Sequence, residues 1–174
     1  MIWLPIDAAT AISAKATRQA IAGDFAGADR SWSLAAQLVP WDPIYPAAAG
    51  QKLIQIAATT DNPENELAIE NEAIEHYRKA VKAAPYDAFF QHNLAVILLP
   101  HHLEEALVPA TRSVNLENRD TSYTYYILGL GYLNGGEIEK AIDSFVLQGI
   151  NTPKFRSEEH TSELQSPYVI SYAV

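Results

Sequence analysis

The chain has 174 residues, a formal charge of −9 and no cysteine. A phosphate-binding surface needs clustered Lys and Arg to displace counterions, so nucleic acid is not an expected partner; the missing thiols exclude disulfides, thiolate catalysis and Cys-ligated zinc. With 48% apolar and 19% charged residues, the chain has the make-up of one folded domain. "MIWLPID" is too short for a signal-peptide core, and no long apolar run follows, so as written the chain is expected neither to enter nor to cross a membrane.

In chain order, residues 1–6 are expected to form a short stub. A helix ending before Gly23 then leads into "GDFAGADRSWSLAAQLVP" (23–40), a second helix that Pro40 stops. "YPAAAGQKLIQIA" supplies a third helix around Gly50. "DNPENELAIENEAIEHYRKAVKAAP" reads as one long fourth helix, with Asn62 as its cap, Pro63 in its first turn, glutamates early and Arg78, Lys79 and Lys82 late. Its charges are expected to form a solvated face with i,i+4 pairs such as Glu75 to Lys79. "FFQHNLAVILLPHHLEEALVPATRSVNLEN" gives a fifth and a sixth helix, the sixth with a bend expected at Pro109. "YYILGLGYLNGGEIEKAIDSFVLQGINTP" gives two more.

The second and the last of these helical stretches share a spacing. Gly23, Ala28, Trp32 and Pro40 correspond to Gly136, Ala141, Phe145 and Pro153. Ala73, Tyr77 and Pro85 keep the same offsets, and Leu94, Ala95, Leu98 and Ala106 keep part of them. Upstream of the last copy, Tyr125, Leu128, Gly129 and Tyr132 fall on the pattern W-x2-L-G-x2-Y, followed by A-x3-F and P. On these residues the chain resembles a tetratricopeptide repeat (TPR) protein. The resemblance implies an all-α fold, an α-α superhelix (TPR solenoid) of about four helical hairpins at about 8–41, 42–85, 86–118 and 119–154, within an array spanning 7–155. Small residues at Ala16, Gly50, Ala95 and Gly129 should let the first helix of each pair approach Ala28, Ala73, Ala106 and Ala141 of the second. Trp32, Tyr77 and Phe145 should fill the space between units, and Asp42, Asp87 and Asp120 are placed to cap the following helices.

No catalytic machinery is legible. "PHHLEE" brings together His101, His102, Glu104 and Glu105, the right atoms for a metal but with no evident common face, so no metal and no cofactor are expected. "GLGYLNGG" lacks the strand and the third glycine of a dinucleotide loop, and reads as helix-packing sequence. His76 and His92 are single helical histidines, expected on the surface or in a groove rather than as bases.

What the resemblance implies for function is a groove. In TPR proteins the first helices line a concave surface, which here carries over to Ile44, Ala47, Gln51, Phe89, His92, Val96, Tyr123, Tyr126, Leu130 and Asn134. That wall suits an extended peptide or a partner helix, so a protein or peptide ligand is the expected partner and the chain a non-catalytic scaffold. Chaperone-binding members hold a terminal carboxylate with Lys, Asn and Arg. Asn93 matches the Asn, but Tyr123 and Ile127 stand where the last basic pair should be, which disfavours that ligand.

"WLPIDAATAISAKA" and the stretch through "PWDPIY" also resemble the soluble TPR region that follows the last membrane span in some bacterial O-antigen ligase-type proteins. That likeness implies a membrane domain of the same native chain as a partner, catalysis in absent spans and a periplasmic face. Without it, a cytoplasmic location is expected. Finally, "RSEEHTSELQS" (156–166) matches the translation of a common short-read sequencing adapter, and residues 156–174 are read as adapter-derived, which makes the chain a fragment of a longer protein.

Overall fold

The computed structural model describes residues 3–116 and 123–151. They form eight α-helices and no strand: α1 (Trp3–Ile21), α2 (Phe25–Leu38), α3 (Ile44–Ala57), α4 (Pro63–Ala83), α5 (Ala88–Leu98), α6 (Leu103–Leu116), α7 (Thr124–Asn134) and α8 (Ile138–Asn151). α1 pairs with α2, α3 with α4 and α7 with α8, while α6 packs on α7. The chain divides into two compact units, residues 1–94 and 95–174. No helix among the described residues is long and apolar enough to cross a membrane.

In residues 1–94, α1 begins at Trp3 and so takes in part of the expected stub. Ile6 packs against a cluster of Ala9, Ala35, Val39 and Tyr45, which joins the first hairpin to α3. Tyr45 seals that junction, its hydroxyl 3.0 Å from Thr10 Oγ1 and 3.3 Å from the Ile6 carbonyl. α2 ends at Leu38 and α4 at Ala83, each just before its proline. Asn62 caps α4, its Oδ1 accepting from the amides of Glu64 and Asn65, and Pro63 fills the first turn, where no donor is needed. α4 runs as the one long helix that its sequence predicts, 21 residues against 14 for α2.

The small-residue positions explain the close pairing. Ala16 and Ala28 in the first hairpin, Ala73 in the second and Ala141 in the last are each 0–1% exposed. The glycines show a tighter arrangement than the sequence implied. A Cβ on Gly50 would lie 2.8 Å from Tyr77 Cδ2, and one on Gly129 would lie 2.4 Å from Phe145 Cε1. The rings of Tyr77 and Phe145, expected between units, thus lie against the glycine of their own hairpin. Gly131, in the second unit, serves the next contact, with the Leu107 side chain of α6 where its Cβ would be.

Two corners are built alike. Gly23 (φ 84°) and Gly136 (φ 76°) take the left-handed conformation that ends α1 and α7. Gly23 N donates to the Ala20 carbonyl and Asp24 N to Gln19; in the same way Gly136 N donates to Leu133 and Glu137 N to Tyr132. Asp42 and Asp87 accept from the amides of Ile44 and Phe89 at 2.9 Å, as their spacing predicts. Asp120 and Pro153 lie outside the described residues. α6 continues through Pro109, which is buried inside it.

Candidate functional site

Four of the groove residues read from the sequence come together in the first unit. Ile44, Ala47, Ala48 and Gln51 follow one another at helical spacing along α3 and form one wall of a cleft of about 230 Å³. Phe89, Phe90 and Asn93 of α5 form the facing wall, and Tyr77 of α4 closes the floor. The floor is fixed by the glycine beneath it, since a side chain at position 50 would displace the Tyr77 ring. Phe89 and Phe90 meet edge to face with centroids 5.4 Å apart, which holds the pair in one arrangement. Asn93 Nδ2 donates to the Phe89 carbonyl at 2.9 Å, orienting its own Oδ1 as an acceptor. Phe89 and Ile44 are 62% and 63% exposed, so the cleft has an apolar rim open to water.

No side chain that is charged at neutral pH lines this cleft. Its volume is below that of a typical small-molecule pocket and suits a single apolar side chain of a larger ligand. Gln51 and Asn93 add hydrogen-bonding groups beside the apolar walls, as main-chain amides of an extended peptide require.

His92 is half-buried on α5 and is not among the lining residues. Ala48, Tyr77 and Phe90 line the cleft without having been anticipated there. Tyr77 was assigned to packing, and the signal that could have found it is its offset of four from Ala73, which puts its ring over Gly50. The remaining groove residues belong to residues 95–174. Tyr126, Leu130 and Asn134 follow one another along α7, Tyr123 stands just before the helix at φ 63°, and Val96 is half-buried on α5. Tyr126 is 42% exposed, with its ring centroid 5.9 Å from that of Phe145. Its amide donates to Oε1 of the buried Gln148 at 3.1 Å.

His76 departs from its expected place. It is 1% exposed, packed between α2 and α4, where its Nε2 donates to Asp29 Oδ1 at 2.9 Å. Its ring stands edge-on to Trp32, with centroids 6.1 Å apart. Neither His76 Nδ1 nor Trp32 Nε1 has a hydrogen-bond partner. The charges of α4 also pair otherwise than expected. Glu75 pairs with Arg78, while Lys79 reaches across to Ser33 Oγ at 3.5 Å. Glu72 turns inward, and burial, then the Asp29 charge and a hydrogen bond to Asp29, raise its pKa above the ordinary 4.5.

Burial, then the Lys79 charge, push the His76 pKa below its ordinary 6.5, against the opposing pull of Asp29 and Glu75. Between that lowered value and 6.5 the unfolded chain binds more protons than the folded one, so stability is full above 6.5 and declines as pH falls below it. Glu72 acts in the opposite sense, adding stability as pH falls through its raised pKa toward 4.5. In a Glu72→Gln background we therefore expect urea midpoints to drop as pH is lowered from 6.5, and His76→Gln to flatten that drop. An unchanged slope would remove His76 as the source.

Among the described residues no group of three or more His, Asp or Glu side chains is placed to hold a metal ion. This leaves the "PHHLEE" corner with His101 exposed and His102 half-buried between α5 and α6.

No protein-family model matches the chain, and no curated protein matches it. Solved structures do. A crystal structure of MamA is similar with a TM-score of 0.59 and 23% identity over 79% of this chain and 74% of that one. A crystal structure of the MamA protein is similar with a TM-score of 0.44 and 15% identity over 91% of this chain and 96% of that one. With the eight helices and the first of these likenesses together, the fold is all-α and of the TPR type, a succession of helical hairpins.

Proposed function

We propose that the protein is a non-catalytic interaction scaffold, built of four repeat units, that takes a peptide or partner segment through an apolar anchor side chain. The observation that carries this reading is the uncharged, aromatic-walled cleft formed by α3, α4 and α5. Uncharged walls disfavour a ligand held by a carboxylate, which would need a cation beside it, and favour Leu, Phe or Met flanked by main chain. Gln51 and Asn93 would bond that main chain. Tyr126, Leu130 and Asn134 on α7 provide a further ligand-facing surface of the same chemistry.

Selection of a random peptide library on the full chain tests this. Enriched peptides are expected to share an uncharged apolar anchor. Binding measured by calorimetry should weaken about tenfold or more when the exposed Ala48 is replaced by Trp, which fills the cleft, or when Phe89 is replaced by Ala. Enrichment of acidic C-terminal peptides, or affinity indifferent to both substitutions, would overturn the reading.

A further inference from the structure

The first two hairpins meet in two places of different chemistry. Where α1 and α2 meet α3, the contact is apolar, made by Ala9, Ala35, Val39 and Tyr45. Where α2 meets α4, polar side chains surround one buried ring. Asp29 of α2 accepts from His76 Nε2 at 2.9 Å and shares a hydrogen bond with Glu72, while Lys79 reaches Ser33 Oγ at 3.5 Å. The apolar contact is indifferent to pH. A polar one built on an imidazole is not.

The site of the ring accepts one proton readily and a second badly. The Asp29 carboxylate can only accept, so its bond fixes the neutral ring as the Nε2–H form and leaves a bare lone pair on Nδ1. That nitrogen is enclosed and has no hydrogen-bond partner. As a lone pair it forgoes one bond; as the N–H of an imidazolium it becomes a charged donor without an acceptor, which costs more. Trp32 beside it cannot help, because its Nε1–H is also a donor, likewise buried without a partner. Asp29 is already engaged at the other nitrogen. The charges that act on the ring are Asp29 from α2 and Lys79 and Glu75 from α4, and Glu75 is paired with Arg78. Asp7, Lys15 and Arg18 of α1, Lys52 of α3 and His92 of α5 do not act on it.

We propose that the α2–α4 contact is a latch worked by the His76 proton. With the ring neutral the latch is closed; when Nδ1 takes up a proton, α4 parts from α2 around His76 until water reaches that nitrogen. The apolar junction at Tyr45 keeps the two hairpins joined, so the change is a local opening and not unfolding. Because burial and the Lys79 charge oppose the charged ring, the opening falls below pH 6.5.

Trp32 reports on the latch from inside, being 1% exposed and edge-on to His76 with ring centroids 6.1 Å apart. The test uses the full chain with Trp3→Phe, Trp41→Phe and Glu72→Gln, in which Trp32 is the only indole and position 72 no longer titrates but keeps a donor for Asp29. Lowering the pH should shift Trp32 emission to the red and open the indole to acrylamide in one step, with far-UV circular dichroism of the same samples unchanged. Long-range 15N–1H NMR should show His76 as the Nε2–H form before that step and doubly protonated after it, with the same midpoint. His76→Gln, which can still donate to Asp29 but has no titrating ring, should abolish the step. Should that variant fail to fold, the shared midpoint of ring and indole decides. Trp32 emission that stays constant while His76 takes up its proton would overturn the proposal. So would a red shift that coincides with loss of helix, or a step that persists in His76→Gln.

Discussion

Replacing Trp32 with alanine is expected to lower the unfolding free energy by about 3–5 kcal/mol, the largest loss of any single substitution in the first hairpin. The indole is 1% exposed and is the largest of the fully buried side chains. Backbone and rings around it cannot collapse fully into the space it leaves, so the loss combines lost burial with a cavity. Its Nε1 has no hydrogen-bond partner, and Trp32→Phe therefore forfeits no bond and should lose less than half as much. Urea unfolding followed by circular dichroism measures both, and a loss below about 1 kcal/mol for the alanine variant would contradict the packing described for α2 and α4.

Gly129→Val should destabilise the chain by about 1–3 kcal/mol or more, although helix propensity alone slightly favours valine over glycine. Sterics decide the sign. A Cβ at Gly129 would lie 2.4 Å from Phe145 Cε1 and 2.6 Å from Cδ1, so α7 and α8 must separate or the ring must leave its place. Gly149 on α8 supplies the contrast, because a Cβ there meets nothing within 4 Å. Gly149→Ala should gain about 0.5–1 kcal/mol from propensity. Adding Phe145→Ala to Gly129→Val should recover part of the loss. Strict additivity of those two substitutions would show that glycine and ring do not bear on each other.

The helical pairing was legible because small residues recur where two backbones meet, and few other side chains fit there. Ala28, Ala73, Ala106 and Ala141 are all 0–1% exposed. The caps were legible for a local reason, as an Asp two residues past a helix stop has an amide within reach. His76 was not legible, because "AIEHYRK" looks like a charged surface helix and the partner that keeps the ring inside, Asp29, is 47 residues away. Glu75 had two cations at helical spacing, and the choice of Arg78 over Lys79 depends on Ser33 of another helix. Of the groove residues, those on α3 share the cleft because one helix face carries them. The floor escaped notice because Tyr77 comes from a second helix, whose role in the repeat is packing.

The corners at Gly23 and Gly136 have a consequence for how this chain can change. Ala20, Ile21 and Ala22 share no residue with Leu133, Asn134 and Gly135, yet the two segments close with the same main-chain bonds. A bend written in amides and carbonyls leaves its side chains free to drift, so long as one achiral residue survives at the pivot.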